Sequence, residues 1–238
     1  MNNYYQNPSN FSLNDYSRHL FVGYKDLIIQ ITIFDENGNL KTASEPGIRT
    51  INISDRVYFN YHKNHPDSKM RISRPLLGKF AGKMIIPASL RLNKKDGSFG
   101  GLVVVSVNPY YFSNFFKQVV EGRIFLVNRD GYIIASWTDS ETDELGKDYS
   151  KTNAFIMSRY SSKGIEISKS IFDHEERIRA FRVISPYDIV VVVTYSKKQA
   201  NKQDKENLLL FGAYSIFLIA FILLFTFWAS RSLKHEQL

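Results

Sequence analysis

Apolar residues recur every three or four positions from about Asn10, at Leu13, Tyr16, Leu20, Tyr24 and Leu27, which is the spacing of one face of an amphipathic helix. The period then shortens. Ile28 to Phe34 is β-branched and aromatic, Asp35-Glu36-Asn37-Gly38 is a run of turn formers, and Leu40 to Ala43 resumes as a return strand, so a hairpin is predicted. The same order comes back about 93 residues later, with Gly122 to Val127, the turn Asn128-Arg129-Asp130-Gly131, and Tyr132 to Trp137.

Two further runs repeat at a similar interval. Leu102 to Val107 (LVVVSV) and Ile189 to Thr194 (IVVVVT) are apolar at almost every position, as expected of central strands covered on both faces. Lys83 to Leu92 precedes the first as a strand, joined through Lys95-Asp96-Gly97, and Arg177 to Val183 precedes the second, joined through Ser185-Pro186-Tyr187. Each half thus reads as a hairpin, a helical or irregular middle, two long antiparallel strands and a helix-like exit. The expected class is α+β, two mixed modules in series. The first exit, Pro109 to Val120, is rich in aromatics and reads as a buried connector between modules. The second, Ser196 to Asn207, is polar and leads into Leu208 to Ala229, about 22 residues without a charge, long enough to span a bilayer as a helix. The divisions are a helical N-terminal segment over 1–26 that opens on a frayed, polar stretch, modules over 27–120 and 121–200, a transmembrane helix over 208–229 and a short tail over 230–238.

The composition is globular, with 44% hydrophobic and 23% charged residues. There are no cysteines, which excludes disulfides and thiolate metal sites. The net charge of +8 raises nucleic-acid binding, but the cations are scattered among strands and turns. Their densest clusters, Lys197 to Lys205 and Arg231 to Lys234, flank the apolar run, where headgroup-facing cations belong. A membrane partner is expected, and no nucleic acid.

Catalytic chemistry finds little support. Gly78 to Met84 is one residue short of phosphate-loop spacing and has Met84 where Ser or Thr would bind magnesium. His62 and His65 could share a helix face as metal ligands, but Pro66 intervenes and no third ligand is signalled, so a surface role is expected. Asp173-His174-Glu175-Glu176 falls at a predicted hairpin turn and reads as solvated. No nucleophile elbow, zinc-protease helix or kinase signature occurs. Neither an enzyme nor a bound cofactor or metal is expected.

Several motifs resemble the double Cache domains, tandem PAS-like sensors of bacterial chemoreceptors, sensor histidine kinases and diguanylate cyclases. They are Ser54-Asp55-Arg56-Val57-Tyr58-Phe59, Ile72-Ser73-Arg74-Pro75, Gly78 to Gly82, Ala88-Ser89-Leu90-Arg91, Asp96 to Gly101 and Val107-Asn108-Pro109, with looser matches at Arg129-Asp130-Gly131 and Arg177 to Arg182. The resemblance covers nearly all of residues 10–200. It implies two PAS-like antiparallel sheets carried on a long N-terminal helix, with a small metabolite bound in the first, membrane-distal module. Arg56, Tyr58 and Phe59 correspond to ligand-contact positions, and Arg74 and Arg91 are further candidates. A guanidinium suits a carboxylate, and flanking aromatics keep water away from the pair. Amino-acid-binding members have an aspartate where this chain has Asn108, which carries no charge, so a plain carboxylate stands beside an amino-acid-like ligand. The other reading of the motif is structural: Asp55 caps the helix and Arg56 pairs with an acid.

The resemblance also implies a homodimer formed through the N-terminal helices and an extracytoplasmic sensor held in the inner membrane. Lys197, Lys198, Lys202 and Lys205 ahead of the apolar run would by charge alone keep the domain in the cytoplasm; the resemblance is given more weight. It further implies a span ahead of the N-terminal helix and an output domain, so a fragment of a larger receptor is expected, a tail-anchored cytoplasmic form being the alternative. The predicted function is the ligand-sensing input region of a membrane receptor. The competing reading is a membrane-anchored binding or scaffold protein that uses the fold without a small ligand.

Overall fold

A computed structural model describes residues 13, 23–45, 47, 50–66, 69–119, 122–138, 144–202, 209, 215, 216 and 219. The first module is an antiparallel sheet of β1 (Ile28–Phe34), β2 (Leu40–Ala43), β3 (Arg71–Ile72), β4 (Leu76–Leu77), β5 (Met84–Asn93) and β6 (Phe99–Val107), with α1 (Val57–Asn64) on one face. Its strands run β2-β1-β6-β5-β3, and β4 pairs separately with β5. The second module has β7 (Arg123–Val127), β8 (Ile133–Trp137), β9 (Lys163–Lys169), β10 (Glu176–Ile184) and β11 (Ile189–Ser196), with α3 (Asn153–Ser158), and runs β8-β7-β11-β10-β9. With β4 left out of the count, the order in each is second, first, fifth, fourth, third. The two apolar runs, β6 and β11, lie at the centre as predicted. The fold is α+β, with two sheets of the PAS-like kind.

The repeat extends to individual hydrogen bonds. Asp35 Oδ1 accepts the N–H groups of Asn37 (3.0 Å) and Asn39 (2.8 Å), closing the β1–β2 turn. Asn128 Oδ1 accepts those of Asp130 (3.2 Å) and Tyr132 (2.9 Å), closing the β7–β8 turn. Both turns need a glycine with positive φ, Gly38 at 83° and Gly131 at 88°. Both tuck beneath the chain leading to the module's helix, so that a Cβ on Gly38 would lie 2.8 Å from the Ser54 nitrogen and one on Gly131 2.5 Å from Ser150 Cβ.

In the first module Phe34, Ile53, Tyr58, Phe59, Leu102 and Val104 form the core between sheet and α1. The other face packs Ile33, Leu92 and Val103 against Leu13. Leu13 is helical; the rest of the predicted N-terminal helix up to residue 22 lies outside the described residues. The helical period does not carry through to Leu27, because residues 23–27 form turns in which Leu27 and Ile28 both donate to the Tyr24 carbonyl, after Gly23 at φ 94°.

Helix α2 (Pro109–Val119) joins the modules. Phe112 and Phe116 pack on Ile86 of the first module's sheet and on Ile124, Leu126 and Ile134 of the second's. Tyr110, Tyr111 and Phe115 are exposed, so the connector is amphipathic rather than wholly buried. The modules are also tied by Arg71, whose Nη2 donates to both Asp130 carboxylate oxygens at 2.8 Å, and by Asn128 Nδ2 donating to the Ile72 carbonyl at 3.2 Å.

After β11, residues 197–202 continue as helix without a break. The apolar run over 208–229 lies outside the described residues except 209, 215, 216 and 219, which are helical and exposed. Among the described residues, no helix is long and apolar enough to cross a membrane.

Candidate ligand site

The inner face of the first module's sheet changes character along its length. Phe34, Leu102 and Phe99 make one end apolar, whereas Gln30, Thr32 and Ser106 make the other polar though only 4%, 2% and 1% exposed. Gln30 and Ser106 are register partners on β1 and β6, so strand alternation alone turns them to the same side. Burying three uncharged polar side chains costs stability unless they gain partners, which singles out this end as a place built for more than packing.

A cavity of about 20 Å³ lies over them, lined by Arg56 and Tyr58 at the start of α1 and roofed by Leu76, Lys79 and Phe80 of the β4–β5 segment. That volume is room for about one water. Arg56 occupies the N-cap position of α1 without a side-chain cap bond. Its Nη2 donates to the Leu77 carbonyl at 3.1 Å, while its Nε is buried with no hydrogen-bond partner. Asp55 neither caps the helix nor holds Arg56; it pairs with Lys79 at 2.7 Å. The roof is therefore fastened by the Asp55–Lys79 pair, the Arg56–Leu77 bond and Lys79 Nζ donating to the Asn52 carbonyl at 2.9 Å. Burial pushes the Tyr58 hydroxyl up to about 12, against the opposing pull of Arg56, so it stays protonated and available as a donor at neutral pH.

Of the six residues singled out from the sequence, Arg56 and Tyr58 line this cavity and the other four do not. Phe59 is buried on the sheet-facing side of α1, edge-on to Phe99 at 5.4 Å. Arg91 lies on β5, buried, and clamps the end of α1: its Nη1 donates to the carbonyls of His62 and, at 3.3 Å, Lys63, while its Nε donates to Asn93 Oδ1 at 2.6 Å. Arg74 is exposed, its guanidinium 5.2 Å from the centre of the Tyr132 ring across the module boundary. Asn108 precedes α2, where its Oδ1 accepts the Tyr110 N–H at 3.1 Å and its Nδ2 donates to the Asp26 carbonyl at 3.0 Å. Gln30, Thr32, Ser106 and the β4–β5 roof were missed in the sequence reading. The polar positions alternating within Ile28 to Phe34 were the available signal.

The two histidines separate. His62 is wholly buried, with Nε2 3.0 Å from Ser89 Oγ, which corrects the expected surface role. His65 is exposed and stacks on Tyr61. Asp173, expected in a solvated turn, is instead an ion-pair partner of Arg123 (2.9 Å) and Arg177 (2.6 Å).

Solved structures share this architecture. The extracellular domain of the histidine kinase rpHK1S-Z16 matches with a TM-score of 0.72 at 28% identity, over 83% of this chain and 82% of that one. A domain of a sensory box/GGDEF family protein from Vibrio parahaemolyticus matches with a TM-score of 0.56 at 20% identity, over 83% of each chain. The ligand-binding domain of the Pseudomonas fluorescens chemoreceptor CtaA, solved with L-isoleucine, matches with a TM-score of 0.54 at 17% identity, over 74% and 72%. No protein-family model and no curated protein matches the chain. The fold is thus one shared with extracellular and ligand-binding domains of receptor proteins, consistent with the double Cache resemblance read from the sequence. These neighbours are sensor domains rather than catalytic ones.

Proposed function

We propose that this chain is the ligand-sensing input region of a membrane receptor and that it takes a small carboxylate or amino-acid-like metabolite in the distal module. The carrying observation is the polar end of the inner sheet face, lying beneath an arginine that has a buried, unpartnered N–H. A carboxylate placed there accepts from Arg56, and the Tyr58 hydroxyl donates alongside. Phe59, Arg91 and Asn108 act through the scaffold by fixing α1 and the end of β6, and Arg74 by its contact with the second module. Since the cavity holds about one water, a metabolite enters only when the Leu76 to Lys83 roof lifts, which exchanges the Arg56–Leu77 bond for one to the ligand.

In this reading 208–229 spans the inner membrane, the modules are extracytoplasmic with the second one membrane-proximal, and the receptor is a homodimer. Helical residues 197–202 follow β11 directly, and Lys197 pairs with Glu176 of β10 at 3.0 Å. A shift of the proximal sheet therefore moves the start of that helix. Ligand drives such a shift only through differential affinity for two states.

The test is thermal unfolding of the chain against a panel of small carboxylates and amino acids, with Arg56→Ala in parallel. A ligand at about 100 times its dissociation constant adds about 2.7 kcal/mol, and Arg56→Ala loses that gain. The small size of the cavity favours one competing reading, a binding or scaffold protein without a small ligand. Absence of any shift across the panel selects it.

A further inference from the structure

The proximal module repeats the distal one, and its counterpart of the ligand cavity is more strongly polar. A small space of about 10 Å³ lies between β7, β10, β11 and the β9–β10 loop, lined by Arg123, Arg177, Arg179, Tyr149 and Thr194 together with Phe172. In the ladder, Thr194 pairs with Arg123 and with Arg179, as Ser106 pairs with Gln30 and with Pro87 in the distal sheet. The two cavities thus occupy the same place in two copies of one fold.

Arginine side chains are seldom buried without a reason, and here three share one layer. Arg179 is satisfied from within the sheet, by Glu166 Oε1 at 3.0 Å, the Ser168 carbonyl at 3.2 Å and Ser168 Oγ. Arg123 and Arg177 instead share the carboxylate of Asp173, which comes from the loop; Glu175 adds a 3.4 Å contact to Arg177 from the exposed rim. Although burial would raise the Asp173 carboxyl, hydrogen bonds from Arg177, Ser170 and the Glu175 N–H, with the charge of Arg123, hold it well below the usual carboxylate range. Three polar atoms of the lining residues have no hydrogen-bond partner: Arg177 Nε, Thr194 Oγ1 and the Tyr149 hydroxyl, on residues 4%, 1% and 1% exposed. Unsatisfied buried donors and acceptors of this kind call for an explanation. Arg123 and Arg177 also line an open cleft of about 460 Å³, together with Asp173, Lys198 and Lys202, and that volume suits a small metabolite.

We propose that the proximal module carries a second ligand site, for the carboxylate of a small organic acid, which the Asp173 carboxylate of the β9–β10 loop occupies in the ligand-free state. An incoming acid lies in the cleft and replaces Asp173 on Arg123 and Arg177, freeing the loop. The exchange conserves the number of ion pairs, so the ligand competes with a tethered carboxylate. The site sits beside the start of the 197–202 helix, whose Lys198 and Lys202 line the same cleft.

The probe is acetate, which carries the same carboxymethyl group as the Asp173 side chain. Melting of the full chain is followed in sodium acetate against sodium chloride at equal ionic strength. The wild type is expected to show a saturable rise in melting temperature. Asp173→Ala is expected to reach half-saturation at about tenfold less acetate, because the tethered competitor is gone. Thr194→Val, which preserves volume, shifts half-saturation upward, and Asp173→Ala/Arg177→Met loses the response. Arg56→Ala keeps it, which separates this site from the distal one; a response lost in Arg56→Ala places the acetate in the distal module and overturns the proposal. A response confined to Asp173→Ala overturns it too, by marking Asp173 as a permanent internal ion pair. No saturable rise in either the wild type or Asp173→Ala has the same consequence.

Discussion

Arg91 and Arg56 lie in the same module and do opposite things. Arg91 is enclosed, and its donors end on two helix carbonyls and an asparagine, so it replaces the water that would otherwise satisfy the last turn of α1. Arg91→Met is expected to cost about 2–3 kcal/mol, since charged hydrogen bonds to buried carbonyls are lost, read as a lower urea midpoint. Arg56 has one N–H bonded and another without a partner, so Arg56→Ala is expected to change stability by less than about 1 kcal/mol while removing the ligand response. Asp173 makes a prediction about pH. Its carboxyl is held below its ordinary value of 3.8 in the folded protein, so its stabilisation is fully present above that value and is lost as pH falls below it toward the folded-state value. Comparison of the wild type with Asp173→Asn by urea unfolding should therefore show a gap at pH 7 that narrows steadily below about pH 4.

At the level of elements, the β1–β2 and β7–β8 hairpins are one device used twice, and their turns fit only glycine. Gly131 combines positive φ with a neighbour 2.5 Å from any added Cβ. Gly131→Ala should then cost more than about 1 kcal/mol, with the strain felt at Ser150, where the chain turns toward α3. Circular dichroism of the folded variant should be unchanged while its melting temperature falls. β9 is an edge strand of the proximal sheet with Ile165 and Ile167 exposed between Lys163 and Lys169. The flanking lysines are the kind of charge that blunts edge-to-edge pairing.

For the whole molecule, the question is how far the two modules behave as one. They touch through α2 and through the Arg71–Asp130 pair, in which one guanidinium nitrogen reaches both carboxylate oxygens. Arg71 is mostly shielded and Asp130 about one-third exposed, so solvent screening limits the pair. A double-mutant cycle on Arg71→Ala and Asp130→Ala should yield about 0.5–1 kcal/mol of coupling. If the modules communicate, Asp130→Ala should also weaken the protection against hydrogen exchange that a distal ligand confers on β10 and β11.

The repeat, the hairpins and the central positions of β6 and β11 followed from the sequence because they depend on local chemistry: glycine and aspartate at turns, and β-branched runs too apolar to face water. Arg56 and Tyr58 were legible through a motif. The buried arginine layer of the proximal module was not. Alternation in Arg177-Ile178-Arg179-Ala180-Phe181 puts either the arginines with Phe181 or the isoleucine with the alanine inside, and composition favours the second. The structure buries the arginines, because Glu166 and Asp173 come from a neighbouring strand and a loop to neutralise them. The polar floor of the distal cavity was hidden for the same reason, since Gln30 and Ser106 are distant in sequence and meet only through β-sheet register. Turns and strand cores are settled by neighbours along the chain; which polar side chains share a buried space is settled by neighbours across the sheet.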